Sequence, residues 1–209
     1  MACVVCEQPL RQQNEICPEC VELLAKTSRL YDPTLTLYSR DWHKMRVLGS
    51  YEGLLATLIS RAKFGARPEL LIHLTDLLSH HLQNSELFGL STIANLPMTS
   101  VPLPFGRRFH RGFNQSELIM QRLGKQLGND INHQMLFYKG TSRVQHLLNK
   151  QQRISNRQHV FCSKGKIPKR LIVVDDIITT GATMAAVCQQ LKAAGAEYIE
   201  VWALALTPK

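Results

Sequence analysis

No stretch of this 209-residue chain approaches the ~18 consecutive apolar residues that cross a bilayer, which excludes an ordinary transmembrane helix. The opening residues "MACVVCEQPL" hold no basic segment followed by an apolar one, so a secretory leader is not expected. The expected compartment is therefore the reducing cytoplasm, where cysteines stay reduced. Gly-x-x-x-x-Gly-Lys-Ser/Thr occurs nowhere, which argues against a P-loop nucleotide hydrolase. There are no internal repeats and no low-complexity tract. Acids are scarce: 16 Asp and Glu against 25 Lys and Arg leave a formal charge of +9, which favours anionic partners such as phosphates, nucleotides or nucleic acid. Apolar residues make up 44% of the chain, enough to bury a sizeable core.

What is present begins with a cysteine quartet, "CVVCEQPLRQQNEICPEC". Cys3 with Cys6 and Cys17 with Cys20 form two Cys-x-x-Cys knuckles separated by one short loop. Two facing knuckles make a tetrahedral four-sulfur site, the arrangement that structural zinc takes; four ligands leave no open position for a catalytic water. Iron in a rubredoxin-like site uses similar spacing and stays open as an alternative. Disulfides suit the compartment poorly, and a redox pair leaves the second knuckle unexplained. Cys162 and Cys188 stand apart and read as small core residues. The knuckles and a connector are expected over residues 1–45, and a larger domain over 46–209.

The larger domain reads as helices, then as strands alternating with helices. Leu54, Leu55, Leu58, Ile59 and Ala62 form one apolar helical face. Pro68 opens a second helix over Leu70, Leu71, Leu74, Leu77, Leu78 and Leu82. "TSVPLP" reads as a strand entering a loop. "NQSELIMQRLGKQLG" reads as a helix with Asn114 as N-cap and Glu117 three residues on. "RLIVVDD" is apolar without alternation, the mark of a strand covered on both faces. "MAAVCQQLKAAGA" is a helix stopped by Gly195, and "YIEVWALAL" a final strand. The order predicts an α/β fold, a mostly parallel sheet flanked by helices.

The chemistry concentrates in "VVDDIITTGAT". In open α/β sheets, ligands bind outside the carboxyl ends of the strands, where Asp175 and Asp176 are expected. The turn that follows presents backbone N–H groups and the positive end of a helix dipole at one spot. Gly181 permits close approach of a ligand, Ala182 stands beside it in the same turn, and Thr179, Thr180 and Thr183 add hydroxyls. This makes a cradle for a phosphate monoester. The acids would repel a phosphate they touched, so they suit sugar hydroxyls a few ångströms away, or a divalent cation. Phosphate on one side and a diol on the other describe a 5-phosphoribosyl group. A second anion site is expected at "VPLPFGRRFHRGFNQSE", where Leu103 and Pro104 lead into a loop carrying Arg107, Arg108 and Arg111. Arginine forks beside a helix start suit a diphosphate.

The strand, two acids, apolar pair and Thr-Thr-Gly-x-Thr resemble the phosphoribosyl pyrophosphate motif of type I phosphoribosyltransferases. The whole chain is similar to the competence protein F family of type I phosphoribosyltransferase-like proteins. The four-cysteine front, Arg111 to Gln115, "AKFGARPEL" with Lys63 and Phe64, and "QHLLNKQQRISN" carry the likeness. In the last of these, Gln145, Leu148, Arg153 and Asn156 match a family pattern and resemble a mobile hood over the ligand. Ser142 and Gln152 depart from it, where the family usually has a threonine and an acid. The resemblance implies phosphoribosyl pyrophosphate as ligand, Mg²⁺ with it, Zn²⁺ at the front, and a role in natural transformation. It implies single-stranded DNA and other DNA-uptake proteins as further partners. It leaves open whether the chain is a phosphoribosyltransferase with an unidentified acceptor or a non-catalytic DNA-binding factor that uses the ligand site as a sensor. No catalytic residue is assigned. Tyr31, Tyr38 and Trp42 could stack bases but read first as core.

Overall fold

The computed structural model describes residues 2–3, 5–10, 16–27, 41–65, 67–84, 95–103, 113–139 and 160–208. Of the expected site residues, Pro104, Arg107, Arg108, Arg111, Gln145, Arg153 and Asn156 lie outside these, as do Tyr31 and Tyr38.

Four parallel strands form the central sheet: β1 (Lys44–Ser50), β2 (Met98–Ser100), β5 (Arg170–Ile178) and β6 (Tyr198–Leu206), in the order β1-β6-β5-β2. Its two middle strands, β5 and β6, pair over nearly their full length, from Arg170 opposite Tyr198 to Ile178 opposite Leu206. Both are apolar almost throughout because both faces are covered. Alternate residues divide the two faces. Ile172, Val174, Trp202 and Leu204 join one core, under α2 (Gly53–Phe64), α3 (Pro68–Asn84) and α4 (Gln115–Leu127). Leu171, Val173, Val201 and Ala203 join the other, under α5 (Ala182–Ala193) and the antiparallel pair β3 (Leu136–Tyr138) and β4 (Phe161–Ser163). The α/β architecture with a mostly parallel sheet is as the sequence predicts.

The helical faces match their spacing. Leu55, Leu58, Ile59 and Ala62 are buried on α2, and Met184, Val187, Cys188 and Leu191 on α5. α4 begins at an Asn114 cap whose side chain accepts from the Ser116 N–H, and it ends at Gly128 in the left-handed region (φ 72°). Arg122 on α4 forks onto Asp76 of α3 at 2.6 and 2.9 Å, and Gln126 donates to the same carboxylate at 2.7 Å. That clamp fixes the pitch of α4 relative to α3. At the amino ends of the strands, Arg46 meets Glu200 at 2.8 Å with both side chains buried. Burial raises the Glu200 carboxyl, but Arg46, Tyr198 and Trp202 outweigh it and hold it below its ordinary value.

Lys44–Ser50 forms a parallel edge strand, β1. One expectation needs correction: Cys162 sits half-buried on β4, whereas Cys188 is fully buried. Trp42 is only 4% exposed and packs with the core that includes Met45 and Val47, the core reading that came first for it. Among the described residues, no helix is long and apolar enough to cross a membrane.

The front module is α1 (Pro18–Thr27) with the two knuckles. Cys3, Ile16, Cys17, Cys20 and Leu24 belong to the same buried cluster as α2, α3 and α4. The module is therefore seated on the helical face of the sheet.

Candidate functional site

β5 carries its acids at its carboxyl end, beyond the reach of β2, whose pairing stops where Ser100 meets Val174. The strand runs to Ile178, two residues past Asp176, so the acids belong to the strand and the turn begins at Thr179. Gly181 caps α5 at φ 75°, a conformation that any side chain would strain. The cap has no side-chain hydrogen bond, and the Ala182 N–H has only a long contact to Thr180 Oγ1, at 3.4 Å. The first-turn N–H groups of a helix have no intrahelical acceptors, so this end can receive an anion. Thr179, Thr180 and Thr183 are exposed around it, and Gly181 is buried beneath. The structure thus brings Asp175, Asp176, Thr179, Thr180, Gly181, Ala182 and Thr183 to one rim.

The two acids are held differently. Asp175 Oδ1 accepts from the Ser116 hydroxyl at 2.8 Å and from the Asp176 N–H at 2.9 Å. Its other oxygen has no partner among the described residues. Asp176 Oδ1 accepts from the Ile177 N–H at 2.6 Å, and Oδ2 meets the Lys63 ammonium at 2.7 Å. Burial, with the charge of Asp176 alongside, pushes the Asp175 carboxyl up to about 7 against the pull of Ser116, the Asp176 N–H and Lys63. Sequence reasoning gave Ser116 and Lys63 no place here. The only signals were their positions inside two of the matched segments, in "NQSE" and "AKFGARPEL".

Leu103 is the one expected diphosphate-loop residue within the described ones. With Ser100, Pro102, Asn114, Glu117 and His133 it lines a cavity of about 270 Å³ beside the start of α4. There His133 Nδ1 lies 3.1 Å from Glu117 Oε1.

The four cysteine sulfurs converge to within 4.8 Å of one another. Cys6 and Cys17 are 3.7 Å apart, close to the S···S separation of a tetrahedron with ~2.3 Å metal–sulfur bonds. Cys3 Sγ accepts from the Cys17 N–H at 3.3 Å and the Val5 N–H at 3.4 Å. Burial pushes the Cys3 thiol up, but these N–H groups and that of Cys6 outweigh it and bring it to about 6. The neighbouring Cys17 and Cys20 thiols are pushed the other way, and the four sulfurs together fit a metal such as zinc.

Comparison with known proteins places these features in company. Residues 136–209 match the phosphoribosyl transferase domain family. The chain is 32% identical to the DNA utilization protein YhgH of Salmonella typhimurium, over 98% of this chain and 90% of that one. It is 31% identical to competence protein F of Haemophilus influenzae, over 79% of this chain and 73% of that one. It is 27% identical to competence protein ComFC of Streptococcus pneumoniae, over 91% and 80%.

Proposed function

The chain belongs to the competence protein F family of type I phosphoribosyltransferase-like proteins, and from that premise we propose that its β5–α5 turn binds phosphoribosyl pyrophosphate. One observation carries the reading: a helix start without a side-chain cap, ringed by three exposed threonines, stands beside a carboxylate one oxygen of which has no partner among the described residues, phosphate acceptor next to diol acceptor. The 5-phosphate takes the N–H groups around Gly181 and Ala182, with Thr179, Thr180 and Thr183. Asp175 and Asp176 take the ring hydroxyls. The pyrophosphate belongs to the loop after Leu103, with Arg107, Arg108 and Arg111. Among the described residues, only the four cysteines gather three or more groups of metal-ligating type, so Mg²⁺ would draw most of its oxygens from the pyrophosphate itself. The cysteines hold Zn²⁺ as a structural ion.

A role in competence and DNA utilization is supported by the names of the relatives. In a transferase, the C1–oxygen bond breaks with its electron pair leaving on pyrophosphate. The acceptor then bonds to an oxocarbenium-like C1 and gives up a proton. Gln145, Arg153 and Asn156 would serve in the cover that keeps water out. The second reading, a single-stranded DNA-binding factor that senses the ligand without turning it over, is favoured by the charge of +9.

Calorimetry with phosphoribosyl pyrophosphate and Mg²⁺ on zinc-replete protein tests the ligand. Binding is expected for the wild type, and none for the folded Asp175→Ala/Asp176→Ala variant. No heat with wild type at millimolar ligand refutes the site. Pyrophosphate release in the presence of candidate bases separates enzyme from sensor. The slope of DNA affinity against salt measures how many phosphates the protein contacts.

A further inference from the structure

Two adjacent carboxylates on a partly buried strand cannot both ionise cheaply, and a sugar diol is best met by charged acceptors. Lys63 bears on this conflict. It sits in the last turn of α2, whose Leu55, Leu58, Ile59 and Ala62 bury against the sheet, and its ammonium reaches Asp176 Oδ2 at 2.7 Å. Both side chains are 13% exposed, while the neighbouring Phe64 is 79% exposed. A lysine withdrawn from water onto one carboxylate is not a solvated surface charge. With the Ile177 N–H at 2.6 Å on the other oxygen, Asp176 is fixed at both ends. Among the described residues, Asp175 is held by Ser116 and the Asp176 N–H on Oδ1 alone, and its Oδ2 has no partner.

We infer that Lys63 is a positioning residue of the sugar site: it pins the Asp176 carboxylate in place as an acceptor for one ring hydroxyl and leaves Asp175 Oδ2 to receive the other. Lys63 acts through Asp176, so the effect of removing it should vanish once Asp176 has lost its charge. The inference rests on the phosphoribosyl reading, and its test is built so that the two can fail separately.

Ribose 5-phosphate, which lacks the pyrophosphate, is titrated into wild type, Lys63→Met, Lys63→Arg, Asp176→Asn and the Lys63→Met/Asp176→Asn double variant, each checked for fold by circular dichroism. The expected result is at least a tenfold weaker affinity in Lys63→Met, with most of it restored by arginine. In the Asp176→Asn background, Lys63→Met should change affinity less than twofold. Equal losses in both backgrounds would mean that the ammonium touches the ligand itself, and would overturn the positioning role. Wild-type affinity in folded Lys63→Met overturns it too, while leaving the phosphoribosyl site standing. Absence of binding by the wild type removes that site and takes this inference with it. Should Lys63→Met fail to fold, Lys63→Gln supplies the same comparison.

Discussion

Asp175 is the side chain on which the site and the stability of the fold make opposed demands. Its carboxyl is pushed up to about 7 by burial and by Asp176, from an ordinary value of 3.8. Between those two values the folded chain keeps a proton that the unfolded chain has released. By linkage, the stability this group contributes is full below about pH 4 and is lost as the pH rises through 7. Asp175→Asn removes the titration while keeping an acceptor for the Ser116 hydroxyl. The variant should match wild type at pH 4 and exceed it at pH 8, by on the order of a few kcal/mol, since one pKa unit corresponds to ~1.4 kcal/mol. Urea unfolding of both proteins across that range measures the difference. A variant less stable than wild type at pH 8 would mean that Asp175 is a structural acid. The same variant should bind ribose 5-phosphate more weakly, because a neutral amide accepts a hydroxyl less strongly than a carboxylate.

α4 shows how a helix is set to serve a site beyond its own end. Its Asn114 cap places Ser116 under Asp175, and the Asp76–Arg122 clamp fixes the helix from the other side. Gly124 interrupts an otherwise good helical run at a cost of about 1 kcal/mol relative to alanine. The reason lies outside the helix: a Cβ there would come within 2.6 Å of the Ile131 side chain and 3.2 Å of the Asn129 carbonyl. That segment is itself held to β2, by the Met98 N–H on Asp130 at 2.7 Å and the Asn132 N–H on Met98 at 2.9 Å. Gly124→Ala should therefore destabilise by about 1–2 kcal/mol despite its better propensity, the overpacking outweighing the gain. Thermal unfolding checks the sign, and a stabilised variant would show that Ile131 swings aside freely. Elements of this kind were legible in part. The Asn114 cap, the Pro68 start, the Gly195 stop and the full extents of α4 and β6 follow from local chemistry that a sequence displays. β1 was not legible as a parallel strand, because "KMRVLGS" gains its partner only from β6, some 150 residues away. Lys63 was hidden for the same reason. Its spacing marks the end of an amphipathic helix, and only the packing of α2 on the sheet carries it to Asp176.

The cysteine module and the sheet share one buried cluster, so metal and fold should be lost together. Cys3, Cys17, Cys20 and Leu24 are each no more than 6% exposed and lie in the cluster that also holds Leu58, Leu74, Ile119 and Trp202. In many zinc modules the metal organises a separate knob that can melt on its own, because below ~40 residues there is too little core for independent stability. Here the knob's apolar side is continuous with the core of the larger unit. Stripping the metal leaves three buried thiols beside the exposed Cys6 and removes the restraint that holds Ile16 and Leu24 in place. Chelation should therefore lower the melting temperature of the whole chain. Tryptophan fluorescence, from Trp202 and Trp42 in the two cores, and zinc release, read with a colorimetric dye, should change in a single transition. Cys3→Ser should reproduce the shift without chelator, since it removes one of the four converging sulfurs, the one on which the Cys17 and Val5 N–H groups are set. The ligand site offers an independent reading of the same coupling. Lys63 and Ser116 reach the acids from α2 and α4, two of the helices that share the module's core. Loss of metal should then weaken ribose 5-phosphate binding before the sheet melts, and zinc added back should restore it. Metal release with an unchanged melting temperature and unchanged affinity would separate the module from the site.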